Sequence, residues 1–329
     1  MLLGSLSISA REETWPLKET FRISRGSRTE ARVIVVTISD GQFTGRGEGV
    51  PIRRYKQTPD SVLAQIETIK QETNLNRQTL QNLLPPGAAR NAIDCALWDL
   101  EAKRYGKRAW ELAGIPTEPE VVTSFTISLN SPEKMGRAAA GHATAPILKL
   151  KLGGDRLDLP RVEAVRRGAP GARLLIDANE SWSPEHYRDV ISKFQTLGVE
   201  LIEQPFPADA DDVLETLDHP VPVCADESCH TSADLSRMKG RYDVINVKLD
   251  KTGGFTEGLC LCEKARAGGF KLLIGCMVGT SLGMAPARLL ASNADFADLD
   301  GPLLLARDQD HPLQYINGKI KLPPVELWG

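Results

Sequence analysis

The hexapeptide Ile147-Leu148-Lys149-Leu150-Lys151-Leu152 alternates apolar and charged residues with a period of two. Successive side chains of a β-strand point to opposite faces, so Lys149 and Lys151 share one face and the leucines share the other. A parallel strand that is covered on both faces is ordinarily apolar throughout. If the leucines of this strand pack under outer helices, both lysines point into the interior of a barrel.

Short apolar segments of this kind recur about every 20 to 26 residues after Val121, with helical stretches between them. The other seven are VVTSFTI (121–127), RLLIDAN (173–179), ELIEQP (200–205), VPVCADE (221–227), DVINVKL (243–249), FKLLIG (270–275) and DFADLD (295–300). Eight consecutive βα units predict a (β/α)8-type barrel, although the spacing alone also suits an open sheet.

The chain before the barrel has a different pattern. The Val- and Ile-rich stretch 31–39 predicts a strand that turns at Asp40-Gly41, and the stretches 60–72, 77–84 and 89–104 predict helices. We therefore expect an α+β domain in residues 1–118, a barrel in 119–305 and a carboxyl-terminal segment in 306–329. That segment contains a hairpin signal at Asn317-Gly318, and we expect it to pack back on the first domain.

Composition excludes several classes of protein. The 329 residues are 41% hydrophobic and 25% charged with a net charge of −3, so we expect neither a nucleic-acid-binding surface nor a polybasic membrane anchor. The longest uncharged stretch, 272–287, is shorter than the roughly 20 residues of a membrane helix. The first residues lack the positive charge of a signal peptide. Six cysteines without a C-x-x-C pair predict reduced thiols in a cytoplasmic protein rather than a zinc site.

Polar residues lie near the carboxyl ends of five successive predicted strands, where barrel enzymes build their sites. They are Lys151, Asp177, Glu203, Asp226 and Lys248, at intervals of 26, 26, 23 and 22 residues. Each interval corresponds to one βα unit, so the five side chains are expected to converge at the barrel mouth. By the same alternation, we expect Asn179 to share the strand face of Asp177, and Asp250 to share that of Lys248.

Two explanations of this convergence are open, a buried salt-bridge cluster and a metal site. Burying so many charges costs several kcal/mol per ion, which disfavours the first. Oxygen ligands from Asp177, Glu203 and Asp226 suit a hard cation, best Mg²⁺. A nearby cation would lower the pKa of Lys151 and Lys248. Such a pair suits removal of a proton α to a carboxylate on one side and its delivery on the other.

Several motifs resemble those of the enolase superfamily, in particular its muconate-lactonising-enzyme subgroup. They are Lys149-x-Lys151, Asp177-Ala178-Asn179, Glu203-Gln204-Pro205, Ala225-Asp226-Glu227 and Asn246-Val247-Lys248, in the order of that subgroup. Within it, the stretch KLDKTGG (248–254) and the motif Asp298-Leu299-Asp300 are similar to the dipeptide epimerases. The resemblance extends over almost the whole chain.

This resemblance implies a modified TIM barrel of the (β/α)7β type, an α+β capping domain and one Mg²⁺ per subunit. It implies epimerisation of a dipeptide, best L-Ala-D-Glu to L-Ala-L-Glu, and it is compatible with a homo-oligomer and with a role in murein peptide breakdown. The resemblance also implies roles for single residues. Lys151 and Lys248 would be the acid/base pair, and Asp177, Glu203 and Asp226 would bind the metal ion. Lys149 would bind the substrate carboxylate, Asp298 and Asp300 its α-ammonium and Arg25 its side-chain carboxylate, while Thr126 and Cys276 would line the pocket.

Other functions remain open at this point. o-Succinylbenzoate synthase, muconate cycloisomerase and N-acylamino-acid racemase use related chemistry on substrates without a free α-ammonium, so Asp298 and Asp300 would have no cation to bind. A lyase that forms a Schiff base on Lys151 or Lys248, and a barrel that only binds a ligand, are alternatives from other classes. Asp298 and Asp300 could also be a solvated or capping pair, and Arg25 one of several solvated arginines.

Overall fold

A computed structural model describes residues 6–329, and its amino-terminal part has the predicted α+β arrangement. Three strands pair antiparallel in sequence order: β1 (Ser7–Ile23), β2 (Gly26–Ser39) and β3 (Thr44–Gly49). They are followed by a 3-10 helix (Arg53–Tyr55), α1 (Pro59–Thr68), α2 (Arg77–Leu83), α3 (Ala88–Tyr105) and α4 (Ala109–Ala113). The three predicted helices are present, with small shifts at their ends. Residues 1–5, for which we expect no signal peptide, lie outside the described residues.

Strand β3 lies directly against α3 because glycines remove the side chains between them. A Cβ atom at Gly45 or Gly47 would lie 2.1 Å from a carbonyl oxygen of α3, and one at Gly49 would lie 2.2 Å from another. No larger residue fits at this distance. The close approach lets apolar residues of β2, such as Ile34 and Val36, join the buried face of α3 in one core.

Eight parallel strands form the predicted barrel. They are β5 (Phe125–Ile127), β6 (Ile147–Lys151), β7 (Arg173–Asp177), β8 (Val199–Glu203), β9 (Val223–Ala225), β10 (Val244–Val247), β11 (Lys271–Gly275) and β12 (Phe296–Asp298), hydrogen-bonded in this order, after a separate strand β4 (Glu120–Val122). The Ser124 amide donates to the Ala297 carbonyl at 2.9 Å, which brings the first and last strands together.

Helices lie between the barrel strands along the chain, and one more follows the last strand. They are α5 (Pro132–Gly141), α6 (Asp158–Gly168), α7 (Pro184–Thr196), α8 (Leu235–Met238), α9 (Leu249–Thr252), α10 (Phe255–Ala267), α11 (Ser281–Ala291) and α12 (Gly301–Leu304). Only the four-residue α12 follows the last barrel strand, so the architecture is a modified TIM barrel with an amino-terminal α+β domain, as predicted. Within residues 6–329, no helix combines the length and apolar character that crossing a bilayer requires.

The carboxyl-terminal hairpin forms at the predicted turn but pairs with an unexpected strand. Strands β13 (Tyr315–Ile316) and β14 (Lys319–Lys321) flank Asn317 and Gly318, which both have positive φ. β14 pairs with β4, so the segment 121–127, predicted as one strand, contains two strands of different sheets. The final residues contact the amino-terminal domain instead, where the Trp328 indole N–H donates to the Cys95 carbonyl at 2.9 Å.

The side-chain phase predicted for β6 is confirmed, but two residues beyond strand ends were misplaced. Lys149 is 1% exposed inside the barrel. Strand β10 ends at Val247 and helix α9 begins two residues later, so Asp250 does not share the strand face of Lys248. Its carboxylate accepts instead from the Val50 amide at 2.8 Å. Asn179 likewise follows the end of β7, with a left-handed φ of 46°.

A buried carboxyl group joins the capping domain to the barrel. Glu48 of β3 is 1% exposed and accepts from the amide of Thr280 at 2.9 Å and from its hydroxyl. Cβ atoms at Gly279 and Gly283 would lie within 2.8 Å of Glu48 Oε1, so these glycines make room for the carboxyl. Burial raises the pKa of Glu48 to about 8 against the effect of the Thr280 hydrogen bonds, and the charge of Asp250 adds to the rise.

We expect this junction to make folding stability fall as the pH rises. Between the ordinary pKa of 4.5 and about 8, Glu48 is protonated in the folded chain and ionised in the unfolded one. Folding therefore takes up a proton in this range, and the free energy of unfolding decreases by up to about 1.4 kcal/mol per pH unit. Glu48→Gln keeps the neutral form and should lose this dependence.

Urea unfolding at about pH 5 and about pH 8.5 measures the effect. Wild type should lose more stability between the two values than Glu48→Gln, whereas Glu263→Gln, at an exposed position, should follow wild type. Parallel pH profiles for wild type and Glu48→Gln would contradict the assignment.

Candidate active site

The carboxyl ends of the barrel strands bring the five predicted residues together. Lys151, Asp177 and Glu203 are the last residues of β6, β7 and β8, and they are paired side by side in the sheet. Asp226 and Lys248 directly follow β9 and β10. None of the five is more than 8% exposed. The predicted convergence at the barrel mouth is therefore present.

The two outer lysines lie at opposite ends of the row of carboxylates. Lys151 Nζ is 2.5 Å from Asp177 Oδ2. Lys248 Nζ is 2.6 Å from Asp226 Oδ2 and 3.7 Å from Glu203 Oε1. One ammonium group thus stands next to the first carboxylate and the other next to the third.

A third ammonium group lies between the carboxylates. Lys149 Nζ is 2.5 Å from Glu203 Oε2, 2.6 Å from Asp298 Oδ2 and 3.4 Å from Asp177 Oδ2. As they stand, no three His, Cys, Asp or Glu side chains among residues 6–329 are spaced to hold a metal ion. The lysines instead neutralise the carboxylates directly.

The carboxylates nevertheless have the chemistry that a hard cation requires. Glu203 Oε2 and Asp226 Oδ1 are buried, and the groups that face them are ammonium cations, Lys149 Nζ at 2.5 Å and Lys251 Nζ at 2.8 Å. Buried carboxylates require positive charge beside them, and a metal ion would supply it as the ammonium groups do here. Asp177, Glu203 and Asp226 therefore fit a divalent ion such as Mg²⁺.

Burial and neighbouring charges separate the pKa values of the three carboxyl groups. For Asp177, burial is outweighed by the charges of Lys151 and Lys149, so the pKa falls to about 2. The same competition with the neighbouring lysines holds the pKa of Asp226 well below its usual range. Burial and the charge of Asp177 raise the pKa of Glu203. Protons therefore bind more readily at the central carboxylate than at either end.

Without a bound cation, the pKa of Lys248 shifts in the opposite direction to the one predicted beside a dication. Burial disfavours its ammonium form, but the charges of Asp226 and Glu203 outweigh burial and raise its pKa well above the usual value. At Lys149, too, burial disfavours the ammonium form, but the neighbouring carboxylates outweigh burial and raise the pKa well above the usual value. The prediction of a lowered pKa included the charge of a dication, whereas carboxylates without one have the opposite effect.

Asp298 and Asp300 have different partners because β12 ends between them. Asp298 faces the barrel interior, where it accepts from the Ser124 hydroxyl at 2.6 Å and lies next to Lys149. Asp300 precedes α12 and accepts from the Thr126 amide at 2.6 Å. Burial and the charge of Asp298 raise the pKa of Asp300 to about 7. Only Asp298 directly meets the predicted site; Asp300 holds the strand that carries Thr126.

The two residues predicted to line the pocket both lie near Asp300. Thr126 pairs in register with Lys149, so its side chain points into the barrel. Cys276 follows β11 and is partly exposed. Burial, with the charges of Asp298 and Asp300, raises the pKa of the Cys276 thiol well above its usual value. Cys276 is therefore a neutral wall of the site rather than a nucleophile.

Arg25 reaches the barrel from the β1–β2 turn, but it already has carboxylate partners. Its Nη2 donates to Glu227 Oε1 at 2.6 Å, and its Nη1 donates to Glu180 Oε2 at 2.9 Å and to the Asn179 carbonyl at 2.8 Å. Burial lowers the pKa of Arg25, but Glu227 and Glu180 raise it by more. The side chain is 35% exposed. Arg25 therefore contacts barrel residues close to Asp177 and Asp226, and its predicted contact with the substrate stays a prediction.

Two residues around Asp226 were missed by the sequence argument. The Gln204 carboxamide oxygen accepts from the Asp226 amide at 2.9 Å and from the Ser228 amide at 3.2 Å. Lys251 is 1% exposed, and its Nζ is 2.8 Å from Asp226 Oδ1. Both belong to motifs quoted above, but neither follows the period-two pattern, because one bends away after β8 and the other lies in α9.

Comparisons with known proteins agree with this geometry. Residues 5–114 match the model of the mandelate racemase/muconate lactonizing enzyme N-terminal domain, and residues 134–326 match the enolase C-terminal domain-like model. The chain is 45% identical over 320 residues to the L-Ala-D/L-Glu epimerase of Escherichia coli K12, covering 96% of this chain and 99% of that one. It is 42% identical over 302 residues to an N-acetyl-D-glutamate racemase of Pseudoalteromonas, covering 90% and 95%.

Solved structures show the same likeness. An enolase family member from Agrobacterium tumefaciens with homology to dipeptide epimerases, solved with sodium, L-Ala-L-Glu and an ordered loop, superimposes with a TM-score of 0.96, at 48% identity and 98% and 100% coverage. A dipeptide epimerase from Enterococcus faecalis, solved with Mg and L-Leu-L-Tyr, has a TM-score of 0.89 at 28% identity and 97% coverage of both chains. The chain belongs to the mandelate racemase/muconate lactonizing enzyme family of the enolase superfamily.

We expect the Gln204 carboxamide to be necessary for a stable site. Gln204→Leu removes the acceptor of two buried amides, those of Asp226 and Ser228, and should lower the free energy of unfolding by about 2 kcal/mol or more. Gln195→Leu, at an exposed position of α7, is the matched control and should change it by no more than about 0.5 kcal/mol. Urea unfolding measures both variants, and equal losses would contradict the role of the buried carboxamide.

Proposed function

We propose that the chain is an Mg²⁺-dependent dipeptide epimerase that interconverts L-Ala-D-Glu and L-Ala-L-Glu by two-base proton transfer. The carrying observation is the placement of two buried lysines at opposite ends of one row of carboxylates, Lys151 next to Asp177 and Lys248 next to Asp226. The likeness to an L-Ala-D/L-Glu epimerase and to a structure holding L-Ala-L-Glu supports this substrate.

We assign Asp177, Glu203 and Asp226 as the residues that hold the metal ion. Their carboxylates lie at the carboxyl ends of three neighbouring strands, and each lies next to an ammonium group. When bound, Mg²⁺ would supply positive charge that stabilises the negative charge a substrate carboxylate gains on losing its α-proton, and that lowers the pKa of Lys248. Mg in a solved relative is consistent with this choice.

Lys151 and Lys248 carry the proton transfer in this proposal. One lysine, as the free amine, takes the proton from the substrate α-carbon, and the other, as the ammonium, delivers a proton to the opposite face. After one turnover the two have exchanged protonation states, so the reverse reaction uses them in the opposite roles. Positioned acid/base groups of this kind contribute at least about a hundredfold each.

The remaining residues bind and orient the dipeptide. Lys149 is assigned to the substrate carboxylate and Asp298 to the free α-ammonium, because each is buried next to the acid/base pair. Asp300 holds Thr126 in place by accepting from its amide, and the Thr126 side chain and Cys276 line the pocket. Arg25 is assigned to the side-chain carboxylate of the second residue, as a guanidinium binds carboxylates in two-pronged geometry.

We also propose a role for each of the three parts of the chain and a cellular location for the protein. Residues 1–118 set specificity, 119–305 carry the chemistry and 306–329 fasten the two, as the contact between Trp328 and Cys95 supports. The six cysteines are all free, which supports a reducing cytoplasm. There the enzyme would act alone or as a homo-oligomer on peptides from murein breakdown, without nucleic-acid or membrane partners.

A second candidate, racemisation of an N-acylglutamate, is favoured by the likeness to an N-acetyl-D-glutamate racemase. The substrate would have the same glutamate side chain and undergo the same proton transfer, but its α-nitrogen would carry an acyl group and no charge. Asp298 separates the two candidates, because a buried carboxylate next to the substrate is better matched by an ammonium than by an amide. We therefore place the free dipeptide first.

Removal of either lysine should abolish epimerisation but leave proton exchange at one face of the substrate. Lys151→Ala and Lys248→Ala should each lower the epimerisation rate at least about a hundredfold. Each should still exchange the α-proton of one epimer with solvent, because the lysine on that side remains. Mass spectrometry and chiral chromatography of L-Ala-D-Glu and L-Ala-L-Glu in deuterated buffer with Mg²⁺ measure exchange and inversion together.

The control for this experiment is Lys239→Ala at an exposed position, which should retain wild-type rates. Full epimerisation by either Lys151→Ala or Lys248→Ala would reject the two-base scheme. Activity that is insensitive to EDTA, together with a covalent adduct trapped by borohydride, would favour a Schiff-base lyase instead.

The free and N-acetylated substrates should differ in their dependence on Asp298. Wild type should prefer L-Ala-L-Glu to its N-acetyl derivative and to N-acetylglutamate. Asp298→Asn should lower kcat/KM for the free dipeptide about tenfold or more, because hydrogen bonds to charged groups are stronger than neutral ones. It should affect the acetylated compounds less. A wild-type preference for an acetylated compound would reverse the order of our two candidates.

A further inference from the structure

The loop after β7 has an unusual backbone that presents Glu180 to the capping domain. Asn179 and Glu180 both have left-handed φ values, 46° and 65°, which cost free energy for residues other than glycine. The Asn179 amide donates to Asp177 Oδ1 at 2.9 Å, and the Glu180 amide donates to the Gln204 carbonyl at 2.9 Å. The loop is thus fixed to one candidate metal ligand, Asp177, and to the residue that follows another, Glu203.

Two arginines from separate segments of the capping domain meet at the Glu180 carboxylate. Arg54, in the 3-10 helix, donates from Nε to Oε2 at 2.9 Å and from Nη2 to Oε1 at 2.8 Å. Arg25, at the β1–β2 turn, donates from Nη1 to Oε2 at 2.9 Å, and the Ala208 amide donates to Oε1 at 3.0 Å. The Glu180 side chain is only 7% exposed. Four donors therefore fix its orientation.

These contacts hold the Arg25 guanidinium on several sides. Nη1 uses both of its N–H groups on Glu180 and on the Asn179 carbonyl, and Nη2 uses one on Glu227. The Ser24 hydroxyl also donates to the Asn179 carbonyl at 3.2 Å and fixes the turn itself. Three of the five N–H groups of Arg25 are thus engaged, and two remain to bind an incoming carboxylate.

We propose that Arg54 and Glu180 are positioning residues that set the preference for an acidic second residue by holding Arg25. This inference rests on the proposed function, in which Arg25 meets the side-chain carboxylate of the substrate. Arg54 occupies both oxygens of Glu180 and leaves only one contact for Arg25. Without Arg54, both oxygens become available to Arg25, which can then form a two-pronged pair with Glu180 and lose donors that face the substrate.

A merely structural role of Arg54 has a different signature. If Arg54 only fastened the capping domain to the barrel, its loss would lower kcat/KM equally for every dipeptide. If it acts through Arg25, its loss lowers kcat/KM for acidic dipeptides more than for apolar ones. The ratio of the two kcat/KM values therefore separates the two roles.

The test compares Arg54→Gln with Arg53→Gln in the Mg²⁺-loaded enzyme. Arg53 lies in the same 3-10 helix and is also exposed, so it is the matched control. For Arg54→Gln, the ratio of kcat/KM for L-Ala-L-Glu to that for L-Ala-L-Leu should fall at least about tenfold, mainly through KM for L-Ala-L-Glu. For Arg53→Gln the ratio should stay at the wild-type value.

A double-substitution cycle and a protease assay complete the test. In an Arg25→Gln background, Arg54→Gln should not lower the ratio further. Trypsin should cleave at the β1–β2 turn faster in Arg54→Gln than in Arg53→Gln, because the turn has lost a fastening contact; this readout does not depend on activity. If Arg54→Gln does not fold, Arg54→Lys keeps the charge without the planar fork and should give an intermediate ratio.

The outcomes distinguish this inference from the function on which it rests. An unchanged ratio, equal losses for both dipeptides, or a further fall of the ratio in the Arg25→Gln background would overturn the role of Arg54 and Glu180, while wild-type epimerisation would still support the function. Absence of epimerisation by wild type with Mg²⁺ would overturn both.

Discussion

Charge balance inside a water-poor barrel is the constraint on which the site depends. Four buried carboxylates, of Asp177, Glu203, Asp226 and Asp298, meet four buried ammonium groups, of Lys149, Lys151, Lys248 and Lys251. Each unpaired charge would cost several kcal/mol in this environment, so the two sets stabilise each other. Binding a dication would add two positive charges to this neutral cluster, so the site must at the same time bind an anion or lose protons. An anionic substrate supplies negative charge, and a lysine that becomes a free amine loses a proton. Binding of the ion, binding of the substrate and formation of the base therefore depend on one another.

The same constraint explains why the sequence predicts the centre of the site so well. In a parallel sheet covered by helices, a charged residue can point only to the interior, and the period of two then tells which residues do so. Lys149 and Lys151 could therefore be placed from six letters of sequence. The regular interval of one βα unit extended the argument to Asp177, Glu203 and the residues beyond them. Backbone geometry, rather than any single motif, made this part of the structure predictable.

The rest could not be predicted because it depends on where strands end and on contacts between distant segments. Asp250 was assigned to a strand face, but the chain enters a helix before reaching it. Asp300 was paired with Asp298 by the resemblance to dipeptide epimerases, yet the turn between them directs it to a backbone amide. Arg54 and Glu180 are 126 residues apart and belong to segments with no common period. Only the packing of the capping domain on the barrel brings them together.

Two of the junctions that hold the capping domain to the barrel differ in strength. Glu48 is 1% exposed, and its contacts with Thr280 are shielded from water and salt. The arginines at Glu180 are 35% and 43% exposed, and partly exposed ion pairs contribute little to stability and weaken with salt. The junction at Glu180 is therefore the one that can open at lower cost. It is also the junction that contains Arg25, so the residue that we propose to bind the substrate side chain is held by the contacts that depend most on salt.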